Sequence, residues 1–341
     1  MSKKSLNVIL KNEFNNNKEL SKIYSVFAKN LKSLKTKVYL IAVSGGPDSL
    51  ALTALSKVYS NSNKCKFFYV LIDHNLRKNS SQEALSVKRL LRKHKINLDI
   101  VKNKRLINNN IQSKAREVRY DLIKDYCKKK KIKIVLTAHN LEDQVETFFI
   151  RLSRGSGLYG LSSMKQINQL DSNIQLARPL LDFKKEHLIK ISKITFGKYF
   201  NDPSNKNKKY LRTKIRKLKK HLEKSGIKYD QVFKSINNLA SSRDTLDKYF
   251  KSIYKKIVKK KQKKIYINFK NFLEYDDEIK MRILMNSIVD LSNSYYSPRS
   301  KKIFNLINSL KGKNRGQKFT LNGCLIFKDK NNIILDKENK N

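Results

Sequence analysis

Val38-Tyr-Leu-Ile-Ala-Val-Ser-Gly-Gly-Pro-Asp-Ser49 is the stretch on which the fold turns. Its first six residues are continuously apolar, as in a strand buried on both faces. A helical spacing of Leu50, Ala54, Leu55 and Val58 follows, from about Asp48 to Ser60. Between strand and helix lies Ser44-Gly-Gly-Pro-Asp-Ser49. A glycine pair lets backbone N–H groups come close to an anion, and the start of a helix adds a partial positive charge. The Ser44 and Ser49 hydroxyls can donate to phosphate oxygens. Asp48 would repel phosphate unless it orients a donor or helps to hold Mg²⁺. No Gly-Lys-Ser/Thr is present, so this is not a Walker A loop, and it brings no lysine to the outer phosphates. A bare Gly-Gly is usually only a turn. Six specified residues between a buried strand and a helix, at the carboxyl end of the strand, point instead to a nucleotide site.

Outward from this loop, strands and helices alternate. Phe67–Ile72 reads as a strand, Ser80–His94 as a helix capped by Ser-Ser-Gln-Glu, and Leu98–Val101 as a third strand. A long helix over Gln112–Lys131, a strand over Ile132–Thr137 and a helix over Asn140–Leu152 complete the series. Such alternation implies βαβ units with right-handed crossovers, hence an α/β domain on a parallel sheet. A glycine-rich break at Arg154–Gly160 precedes a helix near Lys184–Thr195 and a very basic helix over Asn207–Lys224. Ser225-Gly226 then offers a boundary, which divides the chain into a catalytic domain over residues 1–220 and a smaller, mainly helical domain over 227–341. In the latter, helices are expected near Tyr229–Lys261, Tyr275–Leu291 and Pro298–Leu310. Alternating runs at Lys318–Leu321, Leu325–Lys328 and Asn332–Leu335 suggest a closing β-meander.

The 341 residues carry 76 Lys and Arg against 28 Asp and Glu, a formal net charge of +48. Such an excess favours a polyanionic partner, since bound Lys and Arg release counterions from phosphates. Only 15 of the basic residues are Arg, and Asn is abundant, so a compositional origin of the lysine surplus competes with a functional one. The 39% hydrophobic content, with 16 Phe and 16 Tyr, excludes wholesale disorder. Cys65, Cys127 and Cys324 lie far apart, which excludes a disulfide scaffold, a CxxC pair and a four-cysteine zinc site. No apolar leader or membrane-spanning run is visible, so a cytoplasmic protein is expected. Whether it forms a homodimer is open at this level.

Several motifs together carry a resemblance. Ser44–Ser49 resembles the SGGxDS signature of the PP-loop family of ATP pyrophosphatases, whose fold is adenine nucleotide alpha hydrolase-like. Asp73-His-Asn-Leu-Arg77 is similar to the DHxLR of one branch, and Asn110-Ile-Gln-Ser-Lys-Ala-Arg-Glu-Val-Arg-Tyr120 to its NIEAxARxxRY. Thr137-Ala-His-Asn-Leu-Glu-Asp-Gln-Val-Glu-Thr147 is similar to TAHHxDDQxET, and Arg154-Gly-Ser-Gly-Leu-Tyr-Gly-Leu161 to RGSGxxGL. Asp202-Pro-Ser-Asn205, with Arg212 and Arg216, resembles DPSN…RNxxR. In this order they resemble the tRNA(Ile)-lysidine synthases, closely over about residues 36–220; the longer C-terminal domain of some members is not expected here. Gln112, Asn140, Glu142 and Thr213 depart from the pattern conservatively, and Gln112 and Thr213 are the weakest matches.

The resemblance implies ATP with Mg²⁺ as cofactors, with isoleucine tRNA bearing a CAU anticodon and free L-lysine as partners. An oxygen of the wobble cytidine would be adenylated with loss of pyrophosphate, and lysine would then displace AMP. It places Ser44, Gly45, Gly46, Pro47, Asp48, Ser49 and His139 on the nucleotide, with Asp48 also the candidate metal ligand. Asp48, Arg116 and Asp143 are the candidate catalytic residues; Arg116 and Arg119 share a helix face and can neutralise charge at the α-phosphate. Asp143 and Glu146, also three apart, would meet the ammonium groups of lysine. Glu142 reads as a helix-start carboxylate only. His74 and Arg77 are expected to line the site. Arg151, Arg154, Arg212, Lys214, Arg216, Lys217 and Lys220 are candidate tRNA contacts, with Lys219 on the same basic helix.

Three other functions compete. A tRNA thiolase of the same fold would want paired cysteines or an iron–sulfur cluster, and the cysteine spacing disfavours it. A glutamine-dependent amidotransferase would want a nucleophilic cysteine context, and none is visible. A non-catalytic RNA-binding protein would have no use for the phosphate loop.

Overall fold

The computed structural model describes residues 17–77, 79–105, 111–201, 211–262, 264–292, 297–312 and 316–338, without the side chain of Gln112. Asn110 and the Asp202–Asn205 turn lie outside the described residues, as does the start of the basic helix at Asn207. The chain forms two compact units, 1–240 and 241–341.

The first unit opens with helix α1 (Lys18–Ser33), which the sequence reading did not anticipate. The Asn17 side chain accepts from the Glu19 and Leu20 amides, and Leu20, Ile23, Phe27 and Leu31 form its buried stripe. Strand β1 (Val38–Ala42), helix α2 (Pro47–Asn63), β2 (Lys66–Asp73), α3 (Ser80–Arg92), β3 (Leu98–Lys102), α4 (Ile111–Lys130), β4 (Ile134–Leu136) and α5 (Leu141–Leu152) follow in the expected alternation. A short helix α6 (Leu158–Leu161), an unforeseen hairpin of β5 (Ile167–Asp171) and β6 (Ile174–Ala177), α7 (Lys185–Phe196) and α8 (Leu211–Lys224) complete the series, and α9 (Tyr229–Ile257) begins in this unit. The expected Ser-Ser-Gln-Glu cap does not form. Asn79 holds the N-cap position of α3 without a side-chain bond, and Ser81 donates to Asp73 Oδ2 at 2.7 Å.

The sheet runs β3-β2-β1-β4-β6-β5, parallel except for β5. Alternation along β1 divides the core between its two faces. Tyr39 and Ile41 pack with Phe27, Leu52, Leu55 and Ile191, whereas Leu40 packs with Val70, Tyr120, Ile123 and Val135. The strand order reverses direction at β1, between β2 and β4. The crevice at the carboxyl ends of β1 and β4 is where ligands bind in such sheets.

In the second unit, β7 (Val258–Lys261) and β8 (Lys264–Asn268) are followed by α10 (Phe269–Glu274), α11 (Asp277–Ser292), α12 (Ser300–Lys311), β9 (Phe319–Leu321), β10 (Cys324–Lys328) and β11 (Asn332–Lys337). The sheet is antiparallel in the order β7-β8-β11-β10-β9. The closing meander is therefore part of a five-stranded sheet, because Val258–Lys261 leaves the helix and pairs with Lys264–Ile267. Ile265, Ile267, Ile283, Ile303, Ile326 and Leu335 share one core. Among the described residues, no helix is long and apolar enough to cross a membrane.

Candidate active site

The loop after β1 is held from several sides. Gly45 has φ +81°, and a Cβ there would lie 2.6 Å from Val87 Cγ2, so only glycine fits. Phe200 N–H donates to Gly45 O at 3.0 Å, fixing the loop from the segment after α7. Ser49 Oγ donates to Gly46 O at 3.0 Å, and Ser44 N–H donates to Ser49 Oγ at 3.1 Å. Ser44 Oγ lies 3.1 Å from Ser49 Oγ. Gly46 is the N-cap of α2, has no side chain to occupy the first-turn amides, and is followed by Pro47 at the helix start. The result is a rigid turn with backbone donors beside two hydroxyls, which suits a phosphate chain.

Asp48 stands in the first turn of α2. Its Oδ1 is buried and makes no hydrogen bond, while Oδ2 lies 3.7 Å from Lys185 Nζ. Burial pushes its carboxyl up to about 6, against the pull of Lys185 and with a push from Asp143.

Beyond β4, Thr137 Oγ1 lies 2.9 Å from His139 Nδ1. Burial keeps the His139 imidazole well below its ordinary value, against Asp143 and assisted by Arg178, Arg116 and Arg212. The ring is neutral near pH 7. Asn140 and Asp143 form a reciprocal capping box at the start of α5, with Asp143 N–H donating to Asn140 Oδ1 at 3.0 Å and Asn140 N–H to Asp143 Oδ2 at 3.2 Å. This box aims the Asp143 carboxylate, which remains partly exposed.

Glu146, one turn further along α5, is only 3% exposed and is already matched. Arg216 of α8 grips it through Nε at 2.7 Å and Nη2 at 3.0 Å, and Arg212 Nε lies 3.0 Å from Oε2. Arg212 also lies 3.8 Å from Asp143 and donates to Thr147 Oγ1 at 3.3 Å. Two arginines that the sequence reading gave to tRNA thus converge on the two carboxylates it gave to lysine. Glu142 does more than complement a helix dipole. It accepts from the Lys185 amide at 2.9 Å, so capping α7, and lies 3.5 Å from Lys219 of α8.

The remaining candidates are placed in different ways. Arg116 stacks on Tyr120 at 5.1 Å and contributes to the field at His139, and Arg119 Nε lies 3.4 Å from His74 Nε2. Arg77 pairs with Glu83 at 3.1 Å. Arg151 is turned inward, donating to the carbonyls of Gly160 and Ser163 at 2.7 and 3.0 Å, where it fixes the glycine-rich segment. By contrast, Arg154, Lys214, Lys217 and Lys220 are exposed. Two side chains at the site have no counterpart in the sequence analysis: Lys185 beside Asp48, and Arg178, which adds to the field at His139. Buried Arg178 donates to Lys165 O at 2.7 Å and Asn168 Oδ1 at 3.1 Å. All three cysteines are free thiols; Cys127 and Cys324 are buried, and burial pushes the Cys127 thiol up to about 12.

A glycine phosphate turn at the reversal point of a parallel sheet is the construction of a PP-loop domain, and the family model described as PP-loop domain matches residues 17–222. The U34-tRNA thiolase NcsA from Methanococcus maripaludis shares this fold, with a TM-score of 0.55 and 16% identity over 64% of this chain and 78% of that one. The tRNA(Ile)-lysidine synthase of Wolbachia pipientis wMel is 33% identical over 302 residues, 87% of this chain and 70% of its own length. That of Rickettsia typhi is 32% identical over 93% of this chain and 74% of its own. That of Orientia tsutsugamushi reaches 41% over 183 residues, 53% of this chain and 41% of its own. The chain belongs to the tRNA(Ile)-lysidine synthase family of PP-loop proteins.

Proposed function

We propose that this protein uses ATP to join L-lysine to C2 of the wobble cytidine in isoleucine tRNA with a CAU anticodon, in the cytoplasm. The cytidine C2 oxygen attacks the ATP α-phosphate and pyrophosphate leaves. The lysine ε-amine then attacks C2, AMP departs with the oxygen, and the amine gives up a proton. The lysidine formed reads AUA in place of AUG, and the tRNA changes identity from methionine to isoleucine. The observation that carries this reading is the meeting of a phosphate turn with a carboxylate–guanidinium cluster across β1 and β4, in a chain of the lysidine synthase family.

The residues fit ATP and a metal. The Gly45 turn excludes any side chain from the phosphate cradle, and Asp48 offers a buried oxygen without a partner. Among the described residues no cluster of three or more His, Cys, Asp and Glu could hold a metal alone. Mg²⁺ typically needs one or two carboxylates beside substrate phosphates, and Asp48 supplies one. When bound, the ion neutralises charge on the outer phosphates. Ser44 and Ser49 orient the phosphates, Arg116 answers charge developing at the α-phosphate, and neutral His139 contacts the nucleotide without adding charge. Asp143 receives a lysine ammonium, while Glu146 behind it fixes the arginines that frame the pocket. The exposed lysines of α8 follow the tRNA backbone. The buried thiols, without a pair, give the thiolase reading no support.

The test is incorporation of labelled lysine into isoleucine tRNA(CAU) with ATP and Mg²⁺, with methionine tRNA as the control. Incorporation confined to the isoleucine tRNA is expected. Incorporation from a sulfur donor alone would move the assignment to a thiolase.

A further inference from the structure

The Ser44–Ser49 turn brings no cation of its own, although a triphosphate carries most of its charge on its outer phosphates. The fold delivers one from far downstream. Lys185, the first residue of α7, extends its side chain to the turn, with Nζ 3.7 Å from Asp48 Oδ2. That separation is beyond hydrogen-bond reach. Its neighbour behaves differently, since Lys184 Nζ closes on Asp230 at 2.8 Å. Lys184 is committed to a tight pair, whereas Lys185 is loosely held and about a third exposed, at 34%.

The base of the Lys185 side chain is well fixed. Its amide donates to Glu142 Oε2 at 2.9 Å, and beyond the far end of α7, Phe200 N–H is bonded to Gly45 O of the turn itself. The helix between these ties packs on α2, sharing Leu188 and Ile191 with Leu52 and Leu55 in one core. The ammonium therefore reaches the turn from a rigid element, with freedom only in the side chain.

We propose that Lys185 is the binding residue for the outer phosphates of ATP, and for pyrophosphate after cleavage. The inference rests on the reading of this protein as an ATP-splitting ligase. A lysine acts as a compact point charge and suits phosphate oxygens that share their charge. Its loose contact with Asp48 can be exchanged for a phosphate oxygen at little cost, because no hydrogen bond is broken.

The experiment measures ATP, AMP and pyrophosphate binding by calorimetry to the full chain carrying Lys185→Ala or Lys185→Arg. Lys185→Ala should bind ATP and pyrophosphate about 10- to 100-fold more weakly, the range of one charge-assisted contact. AMP affinity should be unchanged, and Lys185→Arg should recover most of the affinity. The main-chain bond to Glu142 survives both substitutions, so thermal unfolding should stay close to the wild type. Wild-type ATP affinity in Lys185→Ala overturns the proposal, as does an equal weakening for AMP. A gain in lysine affinity with ATP unchanged also overturns it, since Lys185 would then be an internal counter-ion of the lysine pocket. Failure of the wild-type protein to bind ATP overturns the ligase reading itself.

Discussion

Glu146→Gln is the substitution that most directly separates two roles for the buried carboxylate. In the wild type it takes a forked pair from Arg216 at 2.7 and 3.0 Å, and the Arg212 guanidinium adds an ion pair at 3.0 Å. The amide keeps the shape but loses the charge, and its NH₂ faces a guanidinium. Removing one partner of a buried ion pair costs about 3–5 kcal/mol. Here the arginines are 37% and 41% exposed and can regain water, which brings the expected cost to roughly half, about 2 kcal/mol. At about 2–4 °C per kcal/mol for a unit of this size, the melting temperature should fall by about 4–8 °C. Circular dichroism on Glu146→Gln, Arg216→Ala and the double variant would measure both the destabilisation and the coupling. The double variant should be less damaged than the two single effects added together. A wild-type melting temperature combined with a raised KM for lysine would refute the reasoning. Glu146 would then face the substrate, and the arginine pairs would contribute nothing to stability.

Gly45→Ala should cost about 1–2 kcal/mol from its left-handed backbone, plus the 2.6 Å clash with Val87, and should weaken ATP binding; urea unfolding that matched the wild type would contradict the cradle geometry. Because burial raises Asp48 from 3.8 to about 6, the folded state holds that proton more tightly, so this stabilisation is complete below about pH 4 and disappears as pH rises through about 6. Asp48→Asn should therefore gain on the order of 2 kcal/mol over the wild type at pH 8 but not at pH 4, while losing Mg²⁺-dependent ATP binding; equal stability differences at both pH values would remove the desolvation account. Changing Lys214, Lys217 and Lys220 together to Ala should weaken tRNA binding and flatten its salt dependence by about one unit of slope for each phosphate no longer neutralised, as read by filter binding across a salt series. An unchanged slope would place the RNA elsewhere.

The parts of the fold legible in advance were those in which local chemistry and burial agree. Val38–Val43 is apolar throughout because both faces of β1 are covered, and the glycine pair after it has a steric reason at Gly45. Helix α1 escaped notice because Asn and Lys surround it, although Leu20, Ile23, Phe27 and Leu31 keep a helical period. The strand Val258–Lys261 has three lysines in four residues and a burial pattern exposed almost throughout. Nothing but its partner β8 distinguishes it from a fraying helix end. At the site, Asp143 and Glu146 were recognisable by spacing and motif, but their different states were not. Spacing puts both on one face of α5; only α8 packing there makes one a matched, buried anion and leaves the other partly open. Arg151 and Lys185 show the same limit. A basic residue can be read as a free charge or a structural tie only after the chain has returned to it.

The 17-residue helix that follows the phosphate turn begins without a side-chain cap. A Ser or Asp at Gly46 would ordinarily add a few tenths of a kcal/mol to such a helix by satisfying one of its first amides. Selecting glycine leaves this largely buried helix with an open first turn, which the phosphate ligand proposed above would complete. Part of the affinity for a phosphate ligand is therefore folding stability held back from the empty protein. The same amides serve as structure and as recognition, one role at a time.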